Sequence, residues 1–230
     1  MSGFASLGGG NDTYLGTNND DTIHGNGGND TIYALDGNDS ISGGTGDDRI
    51  FAGSGQDLVY AGADNDTVYG QASHDMLFGE AGNDVLDGGN GRDTLSGGSG
   101  ADTVIGGGQD DYIIGGAGND RLIGDGLSLQ SGNPPGDGSF QNEGQSDDIF
   151  YFESGFGHDV VVDFSIGADL LLIKAGTYGN VQINSLADLA GQVVNVNGTA
   201  VIQLGDDSIT LEGITASQLI NQLNTAVGLA

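Results

Sequence analysis

The chain has 230 residues, 46 of them glycine, 33 acidic and four basic, with no cysteine and a net charge of −29. That charge excludes nucleic-acid or phosphate recognition by charge attraction, and the missing thiols exclude disulfides and sulfur-ligated metal centres. No stretch is apolar enough to span a membrane, and residues 1–10 have neither the basic start nor the apolar core of a cleavable signal peptide.

From residue 7 to 123 the chain is periodic. Aspartate recurs every nine residues, at Asp12, Asp21, Asp30, Asp39, Asp48, Asp57, Asp66, Asp75, Asp84, Asp93, Asp102, Asp111 and Asp120. Two positions after each stands an apolar or aromatic residue, from Tyr14, Ile23 and Ile32 through to Ile113 and Leu122, and glycines crowd the stretch before each. So strict a period predicts a solenoid. Each unit has room for a strand of about three residues with one side chain pointing in, while the other six residues reverse the chain on glycines that accept positive φ. Two units then close one coil of 18 residues, and stacked coils build a rod about 30 Å long at about 4.8 Å per coil.

Stacking places alternate aspartates on two edges. Asp12, Asp30, Asp48, Asp66, Asp84, Asp102 and Asp120 share the first; Asp21, Asp39, Asp57, Asp75, Asp93 and Asp111 share the second. Carboxylates about 5 Å apart repel by roughly 1 kcal/mol even in water, and by several times that in a protein-like dielectric. Arg49, Arg92, Arg121 and Lys174 are too few to neutralise them. Carboxylates and turn carbonyls are hard oxygen ligands of flexible geometry, which suit Ca²⁺ better than Mg²⁺.

Units such as Gly43-Gly44-Thr45-Gly46-Asp47-Asp48-Arg49-Ile50-Phe51, Gly97-Gly98-Ser99-Gly100-Ala101-Asp102-Thr103-Val104-Ile105 and Gly115-Gly116-Ala117-Gly118-Asn119-Asp120-Arg121-Leu122-Ile123 resemble the RTX, or hemolysin-type, calcium-binding nonapeptide. The resemblance implies a parallel β-roll with each Ca²⁺ between stacked turns. Between turns 97–102 and 115–120 it implies Asp102 and Asp120 as ligands, with the carbonyls of Gly98, Gly100, Gly115 and Ala117. Gly43, Gly82 and Gly97 are ligand positions in matching turns. Thirteen turns leave eleven gaps, hence up to about eleven ions. The fourth-position glycine is replaced by Asn19, Asp64, Ser73 and Gln109, and the opening pair by Ala34-Leu35 and Gly70-Gln71. Serine and glutamine resist left-handed φ, so the second edge is expected to bind calcium less well.

Residues 127–146, with Pro134-Pro135, read as a loop or insertion leaving the roll. Residues 147–230 read as a capping region. Strands are expected in Asp148–Phe152, Gly155–Phe164 and Gly167–Ile173, a short helix over Ser185–Leu189, and a hairpin of Val193–Val196 with Ala200–Leu204 around Asn197-Gly198. A further strand, Ser208–Leu211, precedes a helix opened by the capping box Thr215-Ala216-Ser217-Gln218. This region resembles the one that follows the repeats in many RTX proteins, which implies an uncleaved secretion signal read by a type I secretion apparatus.

The fold class expected is therefore all-β, a parallel β-roll over 1–126 with a β-rich cap over 147–230 carrying one or two short helices. His24, His74 and His158 lie apart in sequence with no protease spacing, and the glycine turns lack the Gly-Lys-Ser/Thr of a phosphate loop, so no catalytic site is expected. The residue after each core position, including Tyr33, Phe51, Tyr69, Tyr60 and Phe78, should point outwards as a stacking ladder or as a stripe for a protein partner or self-association. The function expected is that of a secreted, calcium-folded structural module at the cell surface or beyond. The alternatives are a carboxy-terminal module of a larger secreted protease, lipase or polysaccharide-modifying enzyme, or a surface-layer or adhesin building block.

Overall fold

A computed structural model describes residues 3–125 and 147–227, apart from positions 167, 175, 179, 184 and 185. The expected insertion at 127–146 lies outside the described residues. Within them the chain winds as a parallel β-solenoid with two facing sheets. The first sheet runs from Phe4–Ser6 through Thr22–Gly27, Ser40–Thr45, Leu58–Ala63, Met76–Ala81, Thr94–Ser99 and Tyr112–Ala117 to Ile149–Phe152 and Leu170–Ile173. The second runs from Thr13–Leu15 through Thr31–Tyr33, Arg49–Ser54, Thr67–Ala72, Val85–Asn90, Thr103–Gly108 and Arg121–Ile123 to His158–Val161. Register is 18 residues throughout the repeats, as in Leu95 opposite Ile113 and Leu86 opposite Val104.

Strands of the central coils have six residues where the sequence predicts three. The opening residues of each turn stay in the ladder because they are small. Gly97 and Gly98, for instance, continue the strand Thr94–Ser99, and Gly98 pairs with Gly116. Two rows therefore face inward from each unit. One is the predicted apolar row, Ile23 to Leu122, all of it buried, with Tyr14 partly buried at the start. The other lies two residues further on, where glycine alternates with the buried Ala34, Ala52 and Ala61.

The outward aromatics form stacks. On the second sheet Tyr33, Phe51 and Tyr69 lie 4.8 and 5.0 Å apart and nearly parallel, with the Arg49 guanidinium 5.0 Å from the Phe51 ring and 5.2 Å from that of Tyr69. Phe51, Tyr69 and Ile105 are buried, whereas Tyr60, stacked on Phe78 at 5.0 Å on the first sheet, is 40% exposed.

Most of the C-terminal strands continue the two sheets of the roll, while Gly176–Tyr178 and Val181–Ile183 pair antiparallel in a small sheet of their own. Ile149–Phe152 pairs in parallel with Tyr112–Ala117, and His158–Val161 with Arg121–Ile123, so both sheets continue across residues 126–146. Asp207–Leu211 adds in parallel to His158–Val161, and Thr199–Leu204 and Val193–Val196 then reverse direction. This antiparallel end closes the second sheet, whose next parallel edge would otherwise be open to another chain. Asn197 and Gly198 turn the hairpin with φ of 54° and 93°. Thr215 and Gln218 exchange backbone-to-side-chain hydrogen bonds at 2.9 and 3.3 Å, opening the helix Ala216–Val227 as the capping box requires. Leu189 of the helix Leu186–Ala190 and Leu219 of the last helix join the same apolar cluster as the roll interior. No described helix is long and apolar enough to cross a membrane.

Candidate metal centre

Each repeat aspartate sits at the end of a turn, just before a strand, where the 18-residue register lays it over its counterpart in the next coil. The backbone N–H of one donates to Oδ1 of the next: Asp84 to Asp102 at 2.8 Å, Asp102 to Asp120 at 2.9 Å, Asp75 to Asp93 and Asp93 to Asp111 at 2.8 Å. The same bond links Asp12 to Asp30, Asp30 to Asp48, Asp48 to Asp66, Asp66 to Asp84, Asp21 to Asp39, Asp39 to Asp57 and Asp57 to Asp75. One oxygen of each carboxylate is thus committed to the backbone.

The other oxygen is not. Oδ2 of Asp30, Asp39, Asp48, Asp57, Asp66, Asp75, Asp84, Asp93, Asp102, Asp111 and Asp120 is buried with no hydrogen-bond partner. A buried, unpaired carboxylate oxygen is strongly unfavourable, and eleven in two rows call for a common counter-charge. Glycine makes the space for one. At Gly97 a side chain would run into both Asp102 Oδ2 and the Gly115 carbonyl of the next coil, and Gly79 relates in the same way to Asp84 Oδ2 and the Gly97 carbonyl. At Gly43 the pair is Asp48 Oδ2 and the Ala61 carbonyl; at Gly70 it is Asp75 Oδ2 and the Gly88 carbonyl. A carboxylate and a carbonyl therefore converge where a Cβ would have stood. These are hard oxygen donors, and they suit Ca²⁺. Among the described residues no three acidic or histidine side chains gather at one point, so such an ion has to draw most of its oxygens from the main chain.

From Asp39 to Asp120 burial pushes the carboxyls of the stacks up from 3.8, against the lowering effect of the backbone donors and, in most, with help from carboxylates one coil away. The values reach about 6 at Asp39, Asp48, Asp84, Asp102 and Asp120, about 7 at Asp57, Asp66 and Asp93, and about 9 at Asp75 and Asp111. The first coil differs. At Asp21 burial also raises the carboxyl, but donors on Thr17 and Gly3 outweigh it and hold it below 3.8, and Asp12 accepts from Gly8.

The turn backbone needs left-handed φ at its second and fourth positions. Gly98, Gly100 and Gly82 have φ of 112°, 137° and 150°, and a side chain at Gly100 would collide with the Gly82 carbonyl, as one at Gly82 would with that of Asp64. Asp64, Ser73 and Gln109 adopt the same conformation at φ of 82°, 87° and 75°, while Asn19 does not. The second position is held left-handed by Asn26, Leu35, Gln71 and Glu80 as well. In saturating calcium, Gly100→Ala is expected to destabilise the fold by about 2 kcal/mol or more, since a strained φ and a carbonyl contact both oppose it. Gln109→Gly is expected to stabilise by about 1 kcal/mol, because an exposed side chain at positive φ is relieved. Thermal melts of the two variants check this, and a Gln109→Gly variant melting below the parent would refute the strain argument.

A second ladder runs outside the first. In most turns the side chain of the residue before the aspartate accepts from the backbone of its counterpart one coil on: Asn83 N donates to Asn65 Oδ1 at 2.9 Å, Ala101 N to Asn83 Oδ1 at 2.8 Å, and Arg92 N to His74 Nδ1 at 2.7 Å. His74 thus has a structural role. Both aspartate stacks also extend beyond the thirteen. Asp111 N donates to Asp148 Oδ1 and Asp120 N to Asp159 Oδ1, each at 2.9 Å. The signal for Asp159 stands in the sequence, in Gly155-Phe156-Gly157-His158-Asp159-Val160-Val161, which keeps the turn's second and fourth glycines but falls outside the nine-residue phase.

The family model described as RTX calcium-binding nonapeptide repeat (4 copies) matches residues 7–41, 33–68, 60–95, 69–104 and 96–126. No curated protein matches. Among solved structures, the extracellular lipase LipA from Serratia marcescens is similar at 18% identity and a TM-score of 0.33, with 96% of this chain covered. The match spans 39% of the lipase chain.

Proposed function

Because the chain belongs to the RTX calcium-binding nonapeptide repeat family, we propose that it is a secreted module whose folding is switched on by calcium held between its stacked turns. The observation that carries this reading is the double row of buried Oδ2 atoms without partners. The chain does not neutralise them itself: the ion pairs among the described residues are Arg92–Asp110 and Lys174–Glu153, and neither includes a stacked aspartate. Asp102 and Asp120 would hold an ion with the carbonyls of Gly98, Gly100, Gly115 and Ala117, and Gly43, Gly82 and Gly97 serve in their own turns. When bound, the ion supplies two positive charges where two carboxylates face each other. The carboxylates orient it, the glycines leave room for it, and the apolar row keeps successive coils in register.

Up to about eleven ions fit the gaps among the thirteen repeat aspartates. Millimolar affinity is expected, the range of extracellular calcium modules at roughly 10⁻⁴ to 10⁻³ M, which would keep the chain unfolded in calcium-poor cytosol and fold it after export. In this reading residues 147–230 cap the roll and carry the signal for a type I secretion apparatus, and the module has no catalytic role of its own.

The two edges should differ in strength. On the second edge Leu35, Gln71, Ser73 and Gln109 hold positive φ and Ala34 and Ala52 put a methyl group where glycine would leave the cradle open, whereas on the first edge the positive-φ residues are Glu80 and the more tolerant Asn26 and Asp64, with one such methyl, at Ala61. Asp102→Ala is expected to remove about two ions, because one carboxylate serves the gap on either side, whereas Asp75→Ala should cost little. Calcium stoichiometry by equilibrium dialysis decides, and a larger loss from Asp75→Ala would reverse the order.

A further inference from the structure

The aspartate stacks outlast the nonapeptide period. On one edge the carboxylate after Asp111 is Asp148, 37 residues on; on the other the one after Asp120 is Asp159, 39 residues on. Both are 1% exposed. Each accepts the preceding aspartate's N–H at 2.9 Å, the distance found between Asp102 and Asp120 inside the repeats. Asp159 Oδ2 is buried without a partner, as Asp120 Oδ2 is.

The turn that carries Asp159 also reproduces the repeat backbone. Gly155 and Gly157 have φ of 87° and 88° where Gly116 and Gly118 have 115° and 148°. Gly118 N donates to the Phe156 carbonyl at 3.2 Å, as Gly100 N does to that of Ala117 at 2.8 Å. A side chain at Gly157 would collide with the Gly118 carbonyl, as one at Gly118 would with that of Gly100.

We propose that the gap between turns 115–120 and 154–159 is a calcium site held by Asp120 and Asp159. The inference rests on the calcium reading of the repeats and extends it to residues outside the repeat match. This site fastens the strand His158–Val161 to the end of the roll at Arg121–Ile123. Ion binding there governs whether His158–Val161 docks, and through it whether the antiparallel end docks behind it. Asp169 ends the series on its edge. Its Oδ1 accepts from Asp148 N at 3.2 Å and its Oδ2 from Ser165 N at 2.7 Å, so hydrogen bonds engage both oxygens.

The test measures bound calcium by equilibrium dialysis on the full chain and on D159N and D102N, since asparagine keeps the oxygen that accepts the backbone N–H and removes the charge. D159N is expected to lose about one ion, D102N about two. Amide exchange at residues 158–161 in D159N is expected to speed up about tenfold or more, while that of Arg49–Ser54 stays protected. Full stoichiometry in D159N, with ions lost from D102N, overturns the junction site and leaves the repeat sites standing. No binding by the full chain, or no loss in D102N, overturns the repeat reading itself. Should D159N fail to fold in saturating calcium, anomalous diffraction from calcium-grown crystals of the unaltered chain decides. A calcium peak between Asp120 and Asp159 supports the site, and water there overturns it.

Discussion

In excess chelator at neutral pH the chain is expected to give the circular-dichroism spectrum of a disordered polypeptide. It should regain its β spectrum in two ways, on addition of calcium towards the millimolar range or on acidification towards pH 4. Both follow from the same buried carboxylates. Their folded-state values, about 6 to 9, lie above 3.8, so between these limits the folded chain holds more protons than the unfolded one. The stability this contributes is fully present below about pH 4 and is lost as pH rises through about 6 to 9. Calcium reverses the dependence, because its ligands must be deprotonated and ion affinity rises with pH. At pH 7 the net charge of −29 adds general self-repulsion. A β spectrum that survives chelator at pH 8 would sink the proposal, and a chelated chain equally disordered at pH 4 and pH 8 would show that the carboxylates are not what holds the ion-free roll open.

Cutting the chain after residue 126 is expected to raise the calcium midpoint by about tenfold and to flatten the titration, as for a repeat array that has lost its cap. The cut leaves Tyr112–Ala117 and Arg121–Ile123 as open edges, since their partners are Ile149–Phe152 and His158–Val161. It also removes Phe150, Phe152, Phe156 and Val161 from the cluster that covers Ile113 and Leu122. Each fully buried side chain of this size contributes about 1.5 to 3 kcal/mol, so the last coils become the weakest and order only when the ions beneath them are in place. Superimposable calcium titrations of the cut and full chains would show that the region has no capping role.

Much of this protein follows from spacing. Nine residues between aspartates and one apolar position per unit are enough to derive the coil of 18, the two edges and the buried row from Ile23 to Leu122. Asn197-Gly198 and the Thr215–Gln218 box likewise carry their own geometry, because each depends on residues within four positions of one another. Such features are local or strictly periodic, and the sequence by itself determined them.

The remaining features depend on contacts whose sequence separation is not constant. Asp148 and Asp159 join the stacks across separations of 37 and 39 residues, and no period marks that register; hydrogen bonds between strands set it. Asp12 and Asp21 belong to the same sequence series as Asp102, yet the first coil supplies them with donors from Gly8, Thr17 and Gly3. The stacked rows point outwards on both sheets, but Tyr69 is buried on one and Tyr60 exposed on the other, a difference that alternation along a strand does not encode. Spacing conveys position only while the path between two residues repeats; once it varies, packing and backbone pairing decide which carboxylates meet.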